Sequence, residues 1–396
     1  MPSSSLQEVV IASAVRTPIG AFQSSLSTVP ATTLGSVAIS AAVKRAGLKY
    51  HDVDEVYMGI ALQAGLRQAP CKQAALGAGI PTSVPTTTIN KRCASGMKAI
   101  MIAAQGLMSG HQSVMVAGGM ESMSNVPYNI KRGVTPYGGF EAEDGILVDG
   151  LQDPFDGSHM GEFAEYTARR QSISREDQDE FAIRSYELSQ QAAKDGVFQA
   201  EITPVPIPVP KKKGEFVFVS EDEEIKKFNK EKLKTLRPVF KKEGGTITAG
   251  NASTLNDGAA ALVLMTSEAA KEKGVKPLAK IIDFCDAASN PIDFPTAPVL
   301  AIKKLLDRCG LKAAEIARWE INEAFSVVTL ACLKELELSI DKVNLHGGAV
   351  SIGHPVGMSG ARITGHLAHT LKKDQFGVAA ICNGGGGASA IIMQKL

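Results

Sequence analysis

Thr86-Thr87-Thr88-Ile89-Asn90-Lys91-Arg92-Cys93-Ala94-Ser95-Gly96-Met97-Lys98 reads as a strand that ends in a turn and opens a helix. The β-branched run Thr86 to Ile89, bounded by Pro85, has strand composition, whereas Ala94 to Met108 has the Ala, Met and Ile content of a buried helix. A short strand that passes directly into a buried helix is a building unit of an α/β fold. Cys93 falls at the turn. A thiol at a helix N-terminus faces the positive end of the dipole and several free N–H groups, which favour thiolate over thiol. Taken alone, Cys93 reads more simply as a small buried hydrophobe. The segments between residues 344 and 387 overturn that simpler reading.

Strand and helix alternate on either side of this turn. Val9 to Ala14 reads as a buried strand, and Leu34, Val37, Ala38, Ala41 and Ala42 recur at helical spacing until Gly47 stops the helix. The alternation continues through Val56, the Cys71 to Gly77 segment and the run Val114-Met115-Val116-Ala117-Gly118-Gly119. It predicts an α/β fold with a mostly parallel central sheet.

From Met120 to Gly245 charge and proline rise and continuous apolar runs fade, which reads as an inserted region. Ser174 with Asp177 three residues on announces a helix that closes near Gly196. Thr203 to Pro210 alternates with proline and fits only an edge strand or an extended connection, because proline cannot donate to a ladder. Lys211 to Lys213, Lys226, Lys227, Lys230, Lys232, Lys234 and Arg237 follow, either a solvated face or a clamp for phosphates. The α/β style resumes at Ala259 to Met265. A second series starts at Pro277: strand Leu278 to Phe284, helix Pro298 to Leu306, strand Arg318 to Ile321 and helix Glu323 to Leu336. Its end, Val378-Ala379-Ala380-Ile381-Cys382-Asn383-Gly384-Gly385, echoes Val114 to Gly119, and the echo predicts two similar halves with a site at their seam.

At 396 residues the chain exceeds one core and predicts two or three packed units. With 42 Lys and Arg against 41 Asp and Glu, bulk attraction to nucleic acid or to anionic membrane is not expected. The six cysteines stand without CxxC spacing and no histidine cluster has zinc-ligand spacing, which points to free thiols in a reducing compartment. Met1 to Ser5 runs almost directly into the first strand, and Gln394-Lys395-Leu396 is near but not equal to a peroxisomal signal. These features predict a soluble cytoplasmic protein without a transmembrane helix.

Two glycine-rich segments carry the remaining chemistry. Asn344 to Gly360 holds five glycines and His354 ahead of Pro355, before a helix from Ser359 to Leu371. Such a loop permits close backbone approach to a ligand. Cys382-Asn383-Gly384-Gly385-Gly386-Gly387 puts a second thiol at a strand end beside unencumbered N–H groups, the material of an oxyanion hole. A phosphate loop is the rival, but no Lys-Ser/Thr follows Gly387. Asn322, in Asn322-Glu323-Ala324-Phe325, reads equally as an N-cap or as a site residue.

Together these segments resemble the thiolase family, and the resemblance runs from Val9 to Leu396. The carriers are NKRCASGMKAI, VAGGMESMSNVPY, TAGNASTLNDGAA, NEAF, GGAVSIGHPVGMSGAR and CNGGGGASA. The likeness is greatest to short-chain acetoacetyl-CoA thiolases of the mitochondrial type, which makes the mitochondrial matrix the alternative to the cytoplasm. It implies two βαβαβαββ halves in a five-layered αβαβα arrangement with an inserted loop domain that binds CoA. The expected division is 1–119 for the first half, 120–245 for the insertion, 246–276 for the return to the first half and 277–396 for the second.

The resemblance also implies roles. Cys93 is acylated, His354 takes its proton, and Cys382 handles the proton at the α-carbon. Asn322 and His354 hold one oxyanion hole through a water, and the N–H groups of Cys93 and Gly384 form the other. For CoA it points to His159, Met160, Tyr186, Ala249, Ser253 and Phe325, with Lys227 and Lys232 at the nucleotide end. A potassium ion would take the Tyr186 hydroxyl and the carbonyls of Ala249, Gly250, Ala252 and Val350. Gly250 replaces the alanine common in the family, and His346 stands where many members have asparagine. No redox cofactor is implied.

The chemistry needs these residue types. A free thiol is only a few per cent ionised near neutrality, so attack needs a base. Joining two thioesters also needs a second base at the α-carbon while the enolate oxygen is held. The expected substrates are acetyl-CoA, acetoacetyl-CoA and CoA, in a homotetramer built as a dimer of dimers. A longer-chain 3-ketoacyl-CoA thiolase is the enzymatic rival. Asp293-Phe294-Pro295 favours a short pocket that also accepts a 2-methyl branch. A silent CoA or acyl carrier is disfavoured, since a carrier has no use for two thiols.

Overall fold

Val9–Arg16 (β1) is buried at every position, and its side chains alternate between two apolar clusters, Val9 and Ile11 in one, Val10 and Ala12 in the other. Side chains leave a strand on alternate faces, so a strand covered on both faces reads as one apolar run. The computed structural model describes residues 6–134, 136–212 and 214–396; Met1 to Ser5, used in the N-terminal reading, and Lys213 of the lysine run lie outside the described residues.

After β1 come α1 (Ala31–Arg45), β2 (Glu55–Gly59), α2 (Pro70–Ala78), β3 (Thr86–Ile89), α3 (Ser95–Met108) and β4 (Val114–Ser122). Beyond β4 lie α4 (Met160–Gln171), α5 (Arg175–Lys194) and a hairpin of β5 (Val205–Pro208) with β6 (Phe216–Val219). β7 (Asn256–Thr266) follows, then β8 (Ala279–Ala288), α6 (Ala297–Cys309), β9 (Ile316–Ile321), α7 (Ser326–Glu335), α8 (Ser359–Thr370), β10 (Phe376–Asn383) and β11 (Gly387–Lys395).

Among the described residues these strands run in the order β9-β10-β11-β8-β1-β7-β4-β2-β3. The first half thus reads β3-β2-β4-β7-β1. The second repeats the order with β9, β10, β11 and β8, and a single bridge between Trp319 and Val343 stands where β3 pairs with β2. β4 and β10, the strands whose sequences echo, occupy equivalent places. The halves join where Val9 of β1 pairs with Ile281 of β8.

The expectation of a mostly parallel sheet is corrected. β2 pairs in parallel with β3 and β4, as β9 does with β10, but β1–β7, β7–β4, β1–β8, β8–β11 and β10–β11 are all antiparallel. Helical crossovers do keep β1 to β4 pointing one way. β7, arriving after the long excursion, runs the other way and wedges between β1 and β4, turning one prospective parallel contact into two antiparallel ladders.

Three apolar clusters define the layers. The first packs α1 and α2 on one face of the first half through Leu34, Ile39, Val43 and Ala74. A central cluster joins α3 and α8 to the inward faces of both halves, with Met97, Ile100, Leu107, Ile363 and Leu367 beside Leu262 and Ile391. The last packs α6 on the outer face of the second half. The five-layered plan is therefore present. α3 and α8 approach closely because Gly360 lacks a side chain: a Cβ there would lie 2.8 Å from the Met97 N. Each buried Leu, Ile or Met contributes ~1.5–3 kcal/mol, so the central layer fixes both helix starts firmly.

The segment beyond β4 folds as its local signals imply. Ser174 Oγ accepts from Asp177 N at 3.0 Å and Asp177 Oδ2 from Ser174 N at 2.8 Å, closing the capping box. β5 pairs only with β6, in keeping with its prolines. Arg16, at the end of β1, ties the segment down by donating to Glu201 Oε1 at 2.6 Å and to both oxygens of Asp222 at 2.7 and 2.9 Å. Removing one member of such a buried set costs ~3–5 kcal/mol. Among the described residues no helix is long and apolar enough to cross a membrane.

Candidate active site

Cys93 lies on the turn between β3 and α3, where its sequence puts it. The turn is held by its own polar groups: Asn90 Oδ1 accepts from Arg92 N at 3.0 Å, and Ser95 Oγ accepts from Lys91 N at 2.9 Å. Lys91 Nζ fastens it to the second half through Asp286 Oδ1 at 2.5 Å and Ser389 Oγ at 2.9 Å. Cys93 is half-buried against Ala61, Leu62, Met123 and Val356. Burial pushes its thiol up to about 11, against a smaller downward pull from the backbone N–H groups of Gly384 and of Cys93 itself. This corrects the expectation of a helix-stabilised thiolate, because desolvation outweighs the helix end. Cys93 therefore rests as a thiol, and any attack from it would require a base.

His354 has the surroundings that a base at this site would need. Its backbone N donates to Asn256 Oδ1 at 2.8 Å, and Asn256 Nδ2 donates to Gly20 O at 3.1 Å, so the loop is pinned to the first half. Its Nδ1 lies 2.6 Å from Ser359 Oγ, which lies 2.9 Å from Pro355 O. A hydroxyl carries one proton and a carbonyl can only accept. Both contacts are satisfied only if Ser359 donates to Pro355 and accepts from Nδ1–H. That leaves Nε2 without a proton, and Nε2 is buried with no partner within the described residues. Burial, with a smaller contribution from Arg362, holds the ring neutral by lowering its pKa to about 3. A neutral imidazole with a free Nε2 is the form that accepts a proton.

Cys382, near the end of β10, is buried, and burial followed by the neighbouring Cys93 sulfur drives its pKa well up. The two thiols are thus within electrostatic reach of each other, and the Gly384 backbone is among the groups that pull the Cys93 thiol down. Asn322 is fully buried and donates from its backbone N to Ala380 O at 2.9 Å, while its Oδ1 and Nδ2 have no partner among the described residues. α7 starts later, at Ser326 behind Phe325, so the N-cap reading of Asn322 is discarded. An unpartnered buried polar atom costs ~1–3 kcal/mol. His354 and Asn322 together leave three of them, an arrangement suited to a ligand that satisfies them.

One apolar cluster walls this site with Met160, Phe163, Phe294, Ala324, Phe325 and Cys382. Phe325 meets the rings of Phe240 and Phe294 edge-on at 6.4 and 6.5 Å, and His159 stacks on Phe240 at 4.6 Å. Met160 Sδ lies 3.6 Å from where a side chain on Gly384 would start. Ser253 Oγ donates to Ala324 O at 2.8 Å.

Tyr186, on α5, stacks on Phe228 at 4.7 Å and shares a cluster with Leu233 and Val350. A side chain on Gly250 would meet Leu233 at 2.8 Å, and Ala252 bridges to Phe325. Ala249 is exposed. Lys227 and Lys232 are exposed in the same stretch, and Lys227 Nζ spends part of its charge on Glu224 Oε1 at 3.2 Å. The lysine run is largely a solvated face, with Lys226 on Glu221 and Lys230 on Glu187.

Sequence reasoning missed Ser359, Asn256 and Glu121, which hydrogen-bond to His354 or to its loop. Glu121 lies in VAGGMESMSNVPY, where a single acid inside an apolar strand was the available signal. His346, noted as a departure, places its Nδ1 3.0 Å from His366 Nε2, and His366 Nδ1 lies 2.8 Å from Glu201 Oε2.

The chain matches the thiolase N-terminal domain over residues 9–268 and the thiolase C-terminal domain over residues 275–395. It is 62% identical over 391 residues to the mitochondrial acetyl-CoA acetyltransferase B of Xenopus laevis, covering 99% of this chain and 93% of that protein. The structure superposes on the Acat5 thiolase of Ascaris suum in complex with coenzyme A with a TM-score of 0.94 and 48% identity, over 98% of this chain and 100% of that one. The acetyl-CoA acetyltransferase of Bacillus anthracis gives a TM-score of 0.95 and 42% identity, over all of both chains. The expectation of a cytoplasmic protein is overturned by these relatives, since those at about 60% identity are named as mitochondrial; that expectation had rested on where the sequence starts, which does not fix a compartment. Match, superposition and site agree, and the chain belongs to the thiolase family.

Proposed function

We propose that the chain is an acetyl-CoA C-acetyltransferase, condensing two acetyl-CoA to acetoacetyl-CoA and CoA and running the reverse thiolysis. The observation that carries this reading is the second buried thiol, Cys382, within electrostatic reach of Cys93. Acyl transfer to water or to a carrier needs one thiol; forming a carbon–carbon bond needs a second base.

Cys93 Sγ attacks the thioester carbonyl while His354 Nε2 takes its proton, and the tetrahedral oxyanion is held by the N–H groups of Cys93 and Gly384. CoA leaves with the proton from His354, and an acetyl-cysteine remains. His354 next takes the Cys382 proton, and the Cys382 thiolate removes a methyl proton from the second acetyl-CoA. The enolate oxygen rests against Asn322 and the protonated Nε2 of His354, the carbanion carbon attacks the acetyl group, and Cys93 departs with the proton returned by His354. Because the resting pair is thiol and neutral imidazole, proton transfer accompanies attack.

Phe294 supports a short acyl pocket, since it closes the wall that contains Cys382. Thiolysis should therefore fall steeply beyond four-carbon 3-ketoacyl-CoA. Phe294→Ala should shift kcat/KM toward a six-carbon substrate by ~10-fold or more, given ~1–3 kcal/mol per methylene in a tight pocket. Equal rates from four to ten carbons in the unaltered protein would instead mark a long-chain thiolase.

Potassium fits the neutral oxygens of Tyr186, Ala249, Gly250, Ala252 and Val350, because oxygen donors suit hard cations. When bound it would order the segment bearing Phe228 and Lys232. Replacing sodium with potassium at equal ionic strength should raise activity chiefly through KM for CoA substrates; identical kinetics in both salts would discard the site. The division at residues 119, 245 and 276, a homotetramer and a mitochondrial location complete the reading, the last carried by the named relatives. A sedimentation mass other than four chains, or absence of the protein from isolated mitochondria, would remove the corresponding element.

A further inference from the structure

We propose that Glu121 is a positioning residue of this active site, its carboxylate bridging the segment after β2 to the loop that carries His354 and thereby setting His354 against Cys93. The inference rests on the acetyl-transfer reading above. Glu121 lies on β4 and is fully buried. Its Oε2 accepts from Ala61 N at 2.9 Å and from Gly357 N at 2.9 Å, and its Oε1 accepts from Leu62 N at 3.2 Å.

The bridge touches both reacting elements. Ala61 and Leu62 belong to the small cluster against which Cys93 packs. Gly357 comes three residues after His354, and its carbonyl lies 2.9 Å from where a side chain on Gly96 would start, in the first turn of α3 behind Cys93. One carboxylate therefore joins the wall under the nucleophile, the loop of the base and the start of the nucleophile's helix. Burial raises the pKa of Glu121 to about 8 against the pull of these three backbone N–H groups, so the bridge rests on the reach of its acceptor oxygens, which hold the three donors in place. Across the β4–β7 ladder Asp257 is separately satisfied by Ser122 and Ser124, so it does not compete for these donors.

Reach and charge are separable. Glu121→Asp keeps the charge but withdraws the carboxylate by about 1.5 Å, one carbon–carbon bond, so it cannot span both loops. Glu121→Gln keeps the reach and one acceptor oxygen for Ala61 and Gly357. The measurement is single-turnover acetylation of Cys93 from radiolabelled acetyl-CoA, with KM determined alongside. Glu121→Asp should acetylate ~10²-fold more slowly, the cost of a displacement near 1 Å, with KM within about twofold. Glu121→Gln should stay within about tenfold of the unaltered protein. Gly357→Ala pushes on the same bridge from the other side, since its Cβ would meet Glu121 Oε2 at 2.7 Å; it should copy Glu121→Asp and decides the matter if that variant does not fold. Acetylation by Glu121→Asp at the unaltered rate overturns the proposal. So does a Glu121→Gln slower than Glu121→Asp, which would make charge the agent. If the unaltered protein takes up no acetyl group, the acetyl-transfer reading fails and the bridge is not what failed.

Discussion

Cys93→Ala is expected to fold, to acquire no hydroxylamine-labile acetyl group from radiolabelled acetyl-CoA, and to turn over ~10⁴–10⁶-fold more slowly, the range seen when a nucleophile is removed. The substitution removes one sulfur from a half-buried turn whose shape is set by Asn90, Lys91 and Ser95, so the fold has little reason to change. The rate has every reason to change, because the sulfur proposed to attack the thioester is gone. Label that persists in Cys93→Ala and vanishes in Cys382→Ser would exchange the two thiols.

Cys382→Ser should separate the half-reactions. Acetylation of Cys93 should continue near its normal rate while condensation falls ~10²–10⁴-fold, the contribution of one positioned acid or base. A serine hydroxyl is a far weaker base than a thiolate, yet it fills nearly the same buried volume. His354→Ala should slow acetylation itself, since a Cys93 thiol pushed up to about 11 cannot ionise unaided at neutral pH. Exchange of acetyl-CoA methyl protons with solvent, followed in each variant, reads the second step independently. The roles would be wrong if Cys382→Ser lost acetylation as fully as Cys93→Ala while methyl exchange survived.

Features that depend on neighbours in the chain were legible in the sequence. The strand from Thr86 to Ile89 and the helix behind Cys93 follow from β-branching and helix composition, and the Ser174–Asp177 box follows from a spacing of three. The kinship of β4 and β10 was visible as an echo of apolar residues running into glycine, and the structure seats them in equivalent places. The motif residues Cys93, His354 and Cys382 could be named in advance because the thiolase resemblance is written in short contiguous segments.

Tertiary structure decided the rest, wherever the deciding partner is remote in sequence or the deciding quantity is burial. The sheet became largely antiparallel because β7 inserts between β1 and β4 after an excursion that no local periodicity records. Asn322 proved to be a buried amide without a side-chain partner among the described residues, and it is no cap because α7 begins four residues later. Cys93 sits at a helix N-terminus, as its sequence states, yet its thiol is held up and not down, since the water lost on packing outweighs the dipole gained from the helix. The bridge from Glu121 to Gly357 spans 236 residues, and only the packing of the two halves brings that carboxylate to the loop of the base.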